Sequence, residues 1–526
     1  MRRGLSAAGL VGIVALAALL ISPAGARPPA EPGGRVAAKS DERVAGEPGA
    51  RPAAEAGGRP NVVVIMTDDQ DFRSMWAMPK TRRLIAARGT FFRQAIDNYS
   101  LCCPSRATFL TGQYAHNHGV VWNNYPLGGY RKLKGHNTLP VWLSRAGYWT
   151  IHIGKYLNEY GEEKPREVPP GWDDWHGGVD PTTYDYYGFT INNNGRLRTY
   201  GRKPKDYSTD VYTGLAVDAI ERASKMHRPF FLNLAPNAPH TVAVQSKARM
   251  EGTPALPPPR YADVFADAPI PRYPDFNEAD ISDKTTQLQA IFANPLTDEQ
   301  ISALQDHWRG RMGALLGVDD MVQRVVRTLK RTGEYGNTVI VFVSDNGWIL
   351  GEHRLYDPVT QDGKPSGVKY LPFEGSTRVP LIIAGPGFPR NEKVNGVVSN
   401  ADLAPTIADL ANVRPGLTED GISLLKAVHD RRRYLRNRGV LIQTFPNPRA
   451  PAYESIRTAR YRYDVQVDGQ EGLYDLKRDP WELQSVHDDP RYAEIKAILK
   501  RRLARLSDCK GETCRKPFGP LPAPGG

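Results

Sequence analysis

The sequence predicts an α/β fold: a large, mixed, mostly parallel β-sheet flanked by helices, followed by a smaller α+β domain. Three observations carry this expectation. Four short apolar runs rich in β-branched residues read as strands buried on both faces, helical patterns lie between them, and the pattern changes after Val413.

Arg2 and Arg3 open the chain, an apolar run from Leu10 to Ile21 follows, and Pro23 with Ala24-Gly25-Ala26 supplies a small-residue cleavage pattern. Residues 1–26 therefore read as a secretory signal peptide. The apolar run falls short of the ~20 residues that span a bilayer, so a secreted protein with no stable membrane anchor is expected. Residues 27–59 are mostly Pro, Ala, Gly, Arg and Glu. Such a stretch buries too little apolar surface to offset its ordering entropy and reads as a disordered linker.

The large domain is expected over 60–413. Asn61–Met66 opens it as a central strand, and Phe230–Ala235, Thr338–Ser344 and Leu381–Ala384 read the same way. The clearest helix carries Leu315, Val318, Val322, Val325, Val326 and Leu329 on one face and stops near Gly333. In the smaller domain, 414–526, Ile456–Val467 alternates as an antiparallel strand pair does, and Tyr492–Leu506 is a basic amphipathic stretch. Cys509 and Cys514 lie close together in a polar segment and are expected to form a small local disulfide.

Composition narrows the class. The chain has 526 residues, 40% hydrophobic and 24% charged, with 49 Gly, 44 Pro and only four Cys. That excludes a disordered, integral-membrane or disulfide-scaffold protein. The net charge of +12 favours anionic partners. The charge is spread out and no base-reading motif appears, so no nucleic-acid partner is expected.

The chemistry gathers at strand ends, where open α/β sheets bind ligands. One strand ends in Asp68-Asp69, another in Asp345-Asn346-Gly347. Either pair alone reads as turn or helix-cap residues. Together at the ends of one sheet, three carboxylates and an amide suit a hard divalent cation, Ca²⁺ ahead of Mg²⁺, and disfavour zinc. Between them stands Cys102-Cys103-Pro104-Ser105-Arg106, followed by Thr111-Gly112. Adjacent cysteines bridge each other only under strain, so the alternatives are two small buried hydrophobes or a reactive centre.

Cys102-x-Pro104-Ser105-Arg106-x-x-x-x-Thr111-Gly112 resembles the signature of the type I sulfatases. Leu473-Tyr-Asp-Leu-x-x-Asp479-Pro480-x-Glu482 resembles that family's C-terminal motif. His116-Asn-His118, Gly154–Tyr160 and Ala238-Pro-His240 are most similar to the N-acetylglucosamine-6-sulfatase branch. The resemblance implies an alkaline-phosphatase-like sulfatase fold and a secreted hydrolase acting on a sulfated carbohydrate or aryl sulfate. It also implies a partner during maturation, a formylglycine-generating enzyme that converts Cys102 to Cα-formylglycine. The hydrated aldehyde is then the nucleophile. Asp68, Asp69, Asp345 and Asn346, with the group at position 102, would hold Ca²⁺, a Lewis acid for the sulfate. Arg106 would hold the diol and neutralise the site. Lys155 and Lys369 would clamp sulfate oxygens, and His240, with Lys369, would protonate the leaving alcohol.

One departure stands out. Many sulfatases carry a His two positions after the lysine equivalent to Lys155; here that position is Leu157, followed by Asn158. The base for sulfate release is then unassigned, with His152 or His240 able to serve and Asn158 able to bond the diol or sulfate. His116 and His118 are set aside as core or turn residues, His353 is a lesser candidate, and Arg431–Arg433 reads as a solvated loop. The competing readings are an arylsulfatase, a phosphate or phosphonate monoester hydrolase of the same superfamily, and a glycan-binding protein if Cys102 stays a thiol. The loops 160–185 and 246–283, rich in aromatic residues, Pro and charge, are the places expected to meet a sugar.

Overall fold

A computed structural model describes residues 58–242, 253–358, 364–446 and 452–525. The expected signal peptide, and the linker up to residue 57, lie outside the described residues. The main sheet has eleven strands: β1 (Asn61–Thr67), β2 (Thr90–Ile96), β3 (Trp149–Gly154), β4 (Asp174–Gly178), β5 (Thr190–Asn193), β6 (Arg196–Thr199), β7 (Phe230–Ala235), β8 (Thr338–Ser344), β9 (Arg378–Val379), β10 (Leu381–Ala384) and β11 (Glu392–Ser399). Its order is β11-β2-β10-β8-β1-β7-β3-β4-β5-β6, with β9 beside β2.

The centre, β8-β1-β7-β3-β4, is parallel throughout. β1 shows why its sequence is apolar without a break. Val62, Val64 and Met66 face one core layer, with Leu139, Trp142 and Ile407. Val63 and Ile65 face the other, with Leu315, Val318 and Val322 of the helix Asp298–Arg331. Both faces are buried, so no polar alternation survives.

That helix spans 34 residues. Thr297 and Gln300 cap its start reciprocally, acidic Asp298 and Glu299 fill the first turn, and basic Lys330 and Arg331 fill the last. It ends before Gly333, whose φ of 80° a β-carbon would disfavour.

β10 departs from the expectation of a parallel strand. It is fully buried, as its composition implies, yet runs antiparallel to both β8 and β2. An apolar run reports burial on two faces; strand direction is set by the connection. Here the chain returns from the end of β8 through the loops around Lys369 and the one-turn helix Glu374–Thr377, so it enters β10 from the sheet's carboxyl edge.

The C-terminal sheet is antiparallel: β12 (Gly439–Thr444), β13 (Tyr453–Thr458), β14 (Tyr461–Gln466) and β15 (Glu471–Asp475). The helix Ala493–Ser507 covers it with Ile495, Leu499, Leu503 and Leu506. Gln443 of β12 donates its backbone N–H to Asn98 O at 2.9 Å, which ties this sheet to the segment entering Cys102. Cys509 and Cys514 are joined in a disulfide.

Candidate active site

The site is built on the carboxyl edge of the parallel strands. β1 and β8 pair in register through Thr67 and Ser344, so Asp68-Asp69 and Asp345-Asn346 leave the sheet side by side. Asp69 takes a left-handed φ of 68°, a conformation costing roughly 1–3 kcal/mol for a non-glycine residue. Neighbours hold it there. Its N–H donates to Asp345 Oδ1 at 3.0 Å, Asn346 Nδ2 donates to its Oδ1 at 2.6 Å, and fully buried Arg311 bonds its carbonyl.

Cys102 opens the helix Cys102–Thr111, all ten residues of which are buried. Pro104 sits in the first turn, where its missing N–H has no intrahelical partner to lose. Gly112 closes the helix at φ 68°, its N–H bonding Thr108 O at 2.8 Å. The helix thus aims its positive N-terminal end at the acidic pairs. Arg106, one turn on, reaches Asp345 Oδ2 with Nε at 2.8 Å and the Lys155 carbonyl with Nη1 at 2.8 Å.

Lys155 follows β3. Gly154 (φ 104°) lets the chain press on β7; a β-carbon there would lie 2.1 Å from Ala235 O. The ammonium of Lys155 meets Asp68 Oδ2 at 2.6 Å. Lys369 meets Asp69 Oδ1 at 2.6 Å and Cys102 Sγ at 3.1 Å. His240 follows β7 after the cis Ala238-Pro239 bond, with Nε2 3.5 Å from Asp69 Oδ2. Its Nδ1 lies 2.7 Å from the Thr241 carbonyl, which only accepts, so Nδ1 carries the proton.

All nine residues singled out from the sequence meet here, and each is at most 3% exposed. Burial works against a charged Asp68, but Lys155, then His240 and Arg106, outweigh it and hold its carboxyl below the usual carboxylate range. Lys155 is the mirror case: burial disfavours its ammonium, and Asp68 outweighs this and pushes its pKa up.

The donor set fits a hard cation. One ligand atom each of Asp68, Asp69, Cys102 and His240 lies within 4.8 Å of the others. Asp69 Oδ2 and Asn346 Oδ1 are buried without a hydrogen-bond partner, and carboxylate and amide oxygens are the donors such a cation takes.

Other candidates sit elsewhere. His152 is fully buried, stacked on Trp175 at 4.5 Å, with Nδ1 3.1 Å from Asn233 Nδ2 and Nε2 3.2 Å from Gly154 O. Burial lowers its pKa to about 3, so it is a neutral core histidine rather than a base. His353 bonds Glu278 at 2.6 Å and packs on Phe373, outside the cluster. His116 reaches Cys509 O at 2.8 Å, and His118 bonds Thr108 at 3.1 Å; both brace the helix. Cys103 accepts the Asn158 N–H at 3.2 Å, and burial pushes its thiol pKa up, the behaviour of a small buried hydrophobe.

Sequence reasoning missed Tyr184. Its ring lies 4.5 Å from Lys155 Nζ and 4.4 Å from the His240 ring, and its hydroxyl accepts Asn158 Nδ2 at 2.5 Å. One Nδ2–H of Asn158 is therefore committed to Tyr184, while its Oδ1 is buried without a hydrogen-bond partner. The available signal was only that Tyr184 belongs to the aromatic-rich loop 160–185. Trp348, 5.2 Å from Lys369 Nζ and 6.2 Å from the His240 ring, was missed likewise.

Residues 60–413 match the family model described as Sulfatase, and residues 351–509 match one described as N-sulphoglucosamine sulphohydrolase, C-terminal. The chain is 33% identical over 505 residues to N-acetylglucosamine-6-sulfatase of Homo sapiens, covering 87% of this chain and 86% of that protein. It is 34% identical over 429 residues to an extracellular sulfatase SULF-1 homolog of Drosophila melanogaster, covering 77% of this chain and 35% of the relative. A solved structure in complex with its substrate D-glucosamine-2-N,6-O-disulfate superposes with a TM-score of 0.68 at 23% identity, covering 87% of this chain and 98% of that one.

Proposed function

The chain belongs to the sulfatase family and is a sulfuric ester hydrolase; from that premise we propose that it desulfates a sulfated sugar of the N-acetylglucosamine 6-sulfate type. Cys102, converted to Cα-formylglycine by a formylglycine-generating enzyme, supplies as its hydrated aldehyde the nucleophile for sulfur. The observation that carries this is the meeting of two acidic strand ends, two ammonium groups and one imidazole on residue 102. The named relatives support the sugar class.

Asp68, Asp69, Asp345 and Asn346 are the residues that would hold Ca²⁺, which when bound supplies Lewis-acid polarisation of the sulfate. The remaining steps belong to this chain's own side chains. Lys369, 3.1 Å from Cys102 Sγ, and Lys155, 2.6 Å from Asp68, donate charge-assisted hydrogen bonds to sulfate oxygens. Arg106 neutralises Asp345 and holds the diol. His240, with Nδ1–H on a carbonyl, presents Nε2 to the bridging oxygen; as the imidazolium, protonated on Nε2 as well, it shares with Lys369 the proton handed to the leaving alcohol and returns to the neutral form. Tyr184 orients His240 and Lys155, and accepts a hydrogen bond from Asn158 Nδ2. With His152 locked in the core, His240 is the remaining base among the two.

The sequence of residues 1–26 and the extracellular relative support secretion after signal-peptide removal. No helix among the described residues is long and apolar enough to cross a membrane. We assign 60–413 as the catalytic domain and 414–526 as the smaller one.

Mass spectrometry of the tryptic peptide spanning Cys102, paired with a desulfation screen on defined sulfated mono- and disaccharides, tests the proposal. The expected peptide is lighter than the thiol form and resists alkylation at position 102. Fully active protein with an intact thiol there would overturn it. Matched aryl sulfate and aryl phosphate separate a sulfatase from the phosphate-ester alternative.

A further inference from the structure

Arg311 is a fully buried cation with no part in handling the sulfate or the proton. It comes from the helix Asp298–Arg331 and is 0% exposed. Gly310 beside it lets that helix seat tightly, since a β-carbon there would lie 2.2 Å from Ala255 O. The guanidinium bonds two carbonyls: Nη2 donates to Asp69 O, and Nη1 to Pro239 O at 3.2 Å. Its Nε has no hydrogen-bond partner, and the Trp348 ring lies 5.5 Å from its central carbon. Burial works against its charge more than nearby Asp71 and Asp69 support it, so its pKa falls below the usual guanidinium value. Apolar side chains of similar volume often replace buried charges without loss of stability. Stability alone therefore gives little reason for an arginine here.

The two carbonyls belong to the chain segments that carry the reacting groups. Asp69, on the segment leaving β1, has its Oδ2 3.5 Å from His240 Nε2. Pro239, on the segment leaving β7, immediately precedes His240. The backbone itself joins these segments through the Asp68 N–H, 3.3 Å from Ala238 O. His240 is also held by its own N–H, which donates to Asn237 O at 2.8 Å, and by Tyr186 OH, which donates to its carbonyl at 2.8 Å. Neither of those bonds reaches the segment leaving β1. The planar guanidinium fork does, and it fixes direction as well as distance between its two acceptors.

We propose that Arg311 is a positioning residue: by joining the carbonyls of Asp69 and Pro239 it fixes the His240 imidazole against the acidic strand end, where it protonates the departing alcohol oxygen. The inference rests on the reading of His240 as the acid and adds what holds that acid in place.

Sulfate release from a series of ring-substituted phenyl sulfates and from N-acetylglucosamine 6-sulfate tests it. A 4-nitrophenolate leaves without a proton, whereas a phenolate and, still more, a sugar alkoxide need one as the S–O bond breaks. Arg311→Met should lose about a hundredfold in kcat on the sugar sulfate, the low end of what a placed general acid contributes, and at most about tenfold on 4-nitrophenyl sulfate. Phenyl sulfate should fall between them. Arg311→Lys keeps the charge without the fork and should show the same graded loss at smaller size; it carries the test if the Met variant does not fold. His240→Ala should show the steepest gradient. An equal loss on every ester in the Arg311 variants reports fewer folded molecules and overturns the positioning role, as does no loss at all. A His240→Ala enzyme without the gradient sinks the acid assignment, and the proposal with it. Wild-type turnover of the phenyl esters with the sugar ester refused sinks only the sugar reading, and the phenyl series then decides on Arg311.

Discussion

Replacing Lys155 by Met removes one charge while keeping most of the side chain's volume. Lys155 is 1% exposed, its Nζ is 2.6 Å from Asp68 Oδ2, and the Tyr184 ring lies 4.5 Å from it. Two costs follow from that geometry. Breaking a buried ion pair from one side costs about 3–5 kcal/mol. Here Arg106 remains 3.9 Å from the same oxygen, so the stability loss belongs at the low end, about 3 kcal/mol. The catalytic cost is separate. Losing one charge-assisted donor to a developing anion costs about 3 kcal/mol, about a hundredfold in kcat. Acid sensitivity should move as well. A carboxyl whose folded pKa is lowered contributes stability that is present above its unfolded pKa and lost as pH falls through the folded value. Without Lys155 the Asp68 pKa rises, so Lys155→Met should begin to unfold at a higher pH on acidification than the wild type. Thermal unfolding across pH and turnover of an aryl sulfate measure all three. A variant that is destabilised yet keeps kcat within about threefold of wild type would reduce Lys155 to a counter-ion of Asp68 and refute its role on sulfate.

Substitutions at three other residues have defined outcomes. Tyr184→Phe removes only the hydroxyl bonded to Asn158 and should lower kcat about two- to tenfold, the worth of one hydrogen bond. Tyr184→Ala also strips the ring from Lys155 and His240 and should cost about a hundredfold; equal effects of the two would refute the ring's orienting role. Asp345→Asn removes the charge facing Arg106 and should lose bound divalent cation by elemental analysis along with at least about a hundredfold in activity; retained metal would remove Asp345 from the ligand set. Glu419 has a buried, unpartnered Oε1, and burial pushes its carboxyl up to about 8, with Arg515 opposing and Asp409 and Asp420 adding to the shift. A folded pKa raised above the unfolded one means stability present below about 4.5 and lost as pH rises to about 8. Glu419→Gln should therefore raise Tm at pH 8 and much less at pH 4.5, and a uniform shift would refute this.

Much of the site was legible because its signals are local. Asp68-Asp69 and Asp345-Asn346 follow apolar runs whose strand character needs no partner to recognise, and Cys102, Pro104, Ser105, Arg106, Thr111 and Gly112 form one contiguous motif whose resemblance to the sulfatase signature is readable without the fold. What stayed hidden depended on contacts between distant residues. His152 and His240 are each one imidazole in an apolar context, yet one is stacked inside the core and the other faces Asp69; only the packing of β3 and β7 separates them. β10 is as apolar as β1, so composition could not reveal that it runs the other way.

By itself the sequence determined that two acidic strand tips belong to one α/β domain, because strand burial is written in neighbouring residues, and the resemblance of the Cys102–Gly112 segment to the sulfatase signature singled out that cysteine. Only the tertiary structure decided that Tyr184, 29 residues beyond Lys155, lies against both Lys155 and His240, and that the Trp348 ring lies 5.2 Å from Lys369 Nζ. Those relations arise where loops from different strands converge, and no local period or propensity encodes a contact between chain segments that meet only when the core closes.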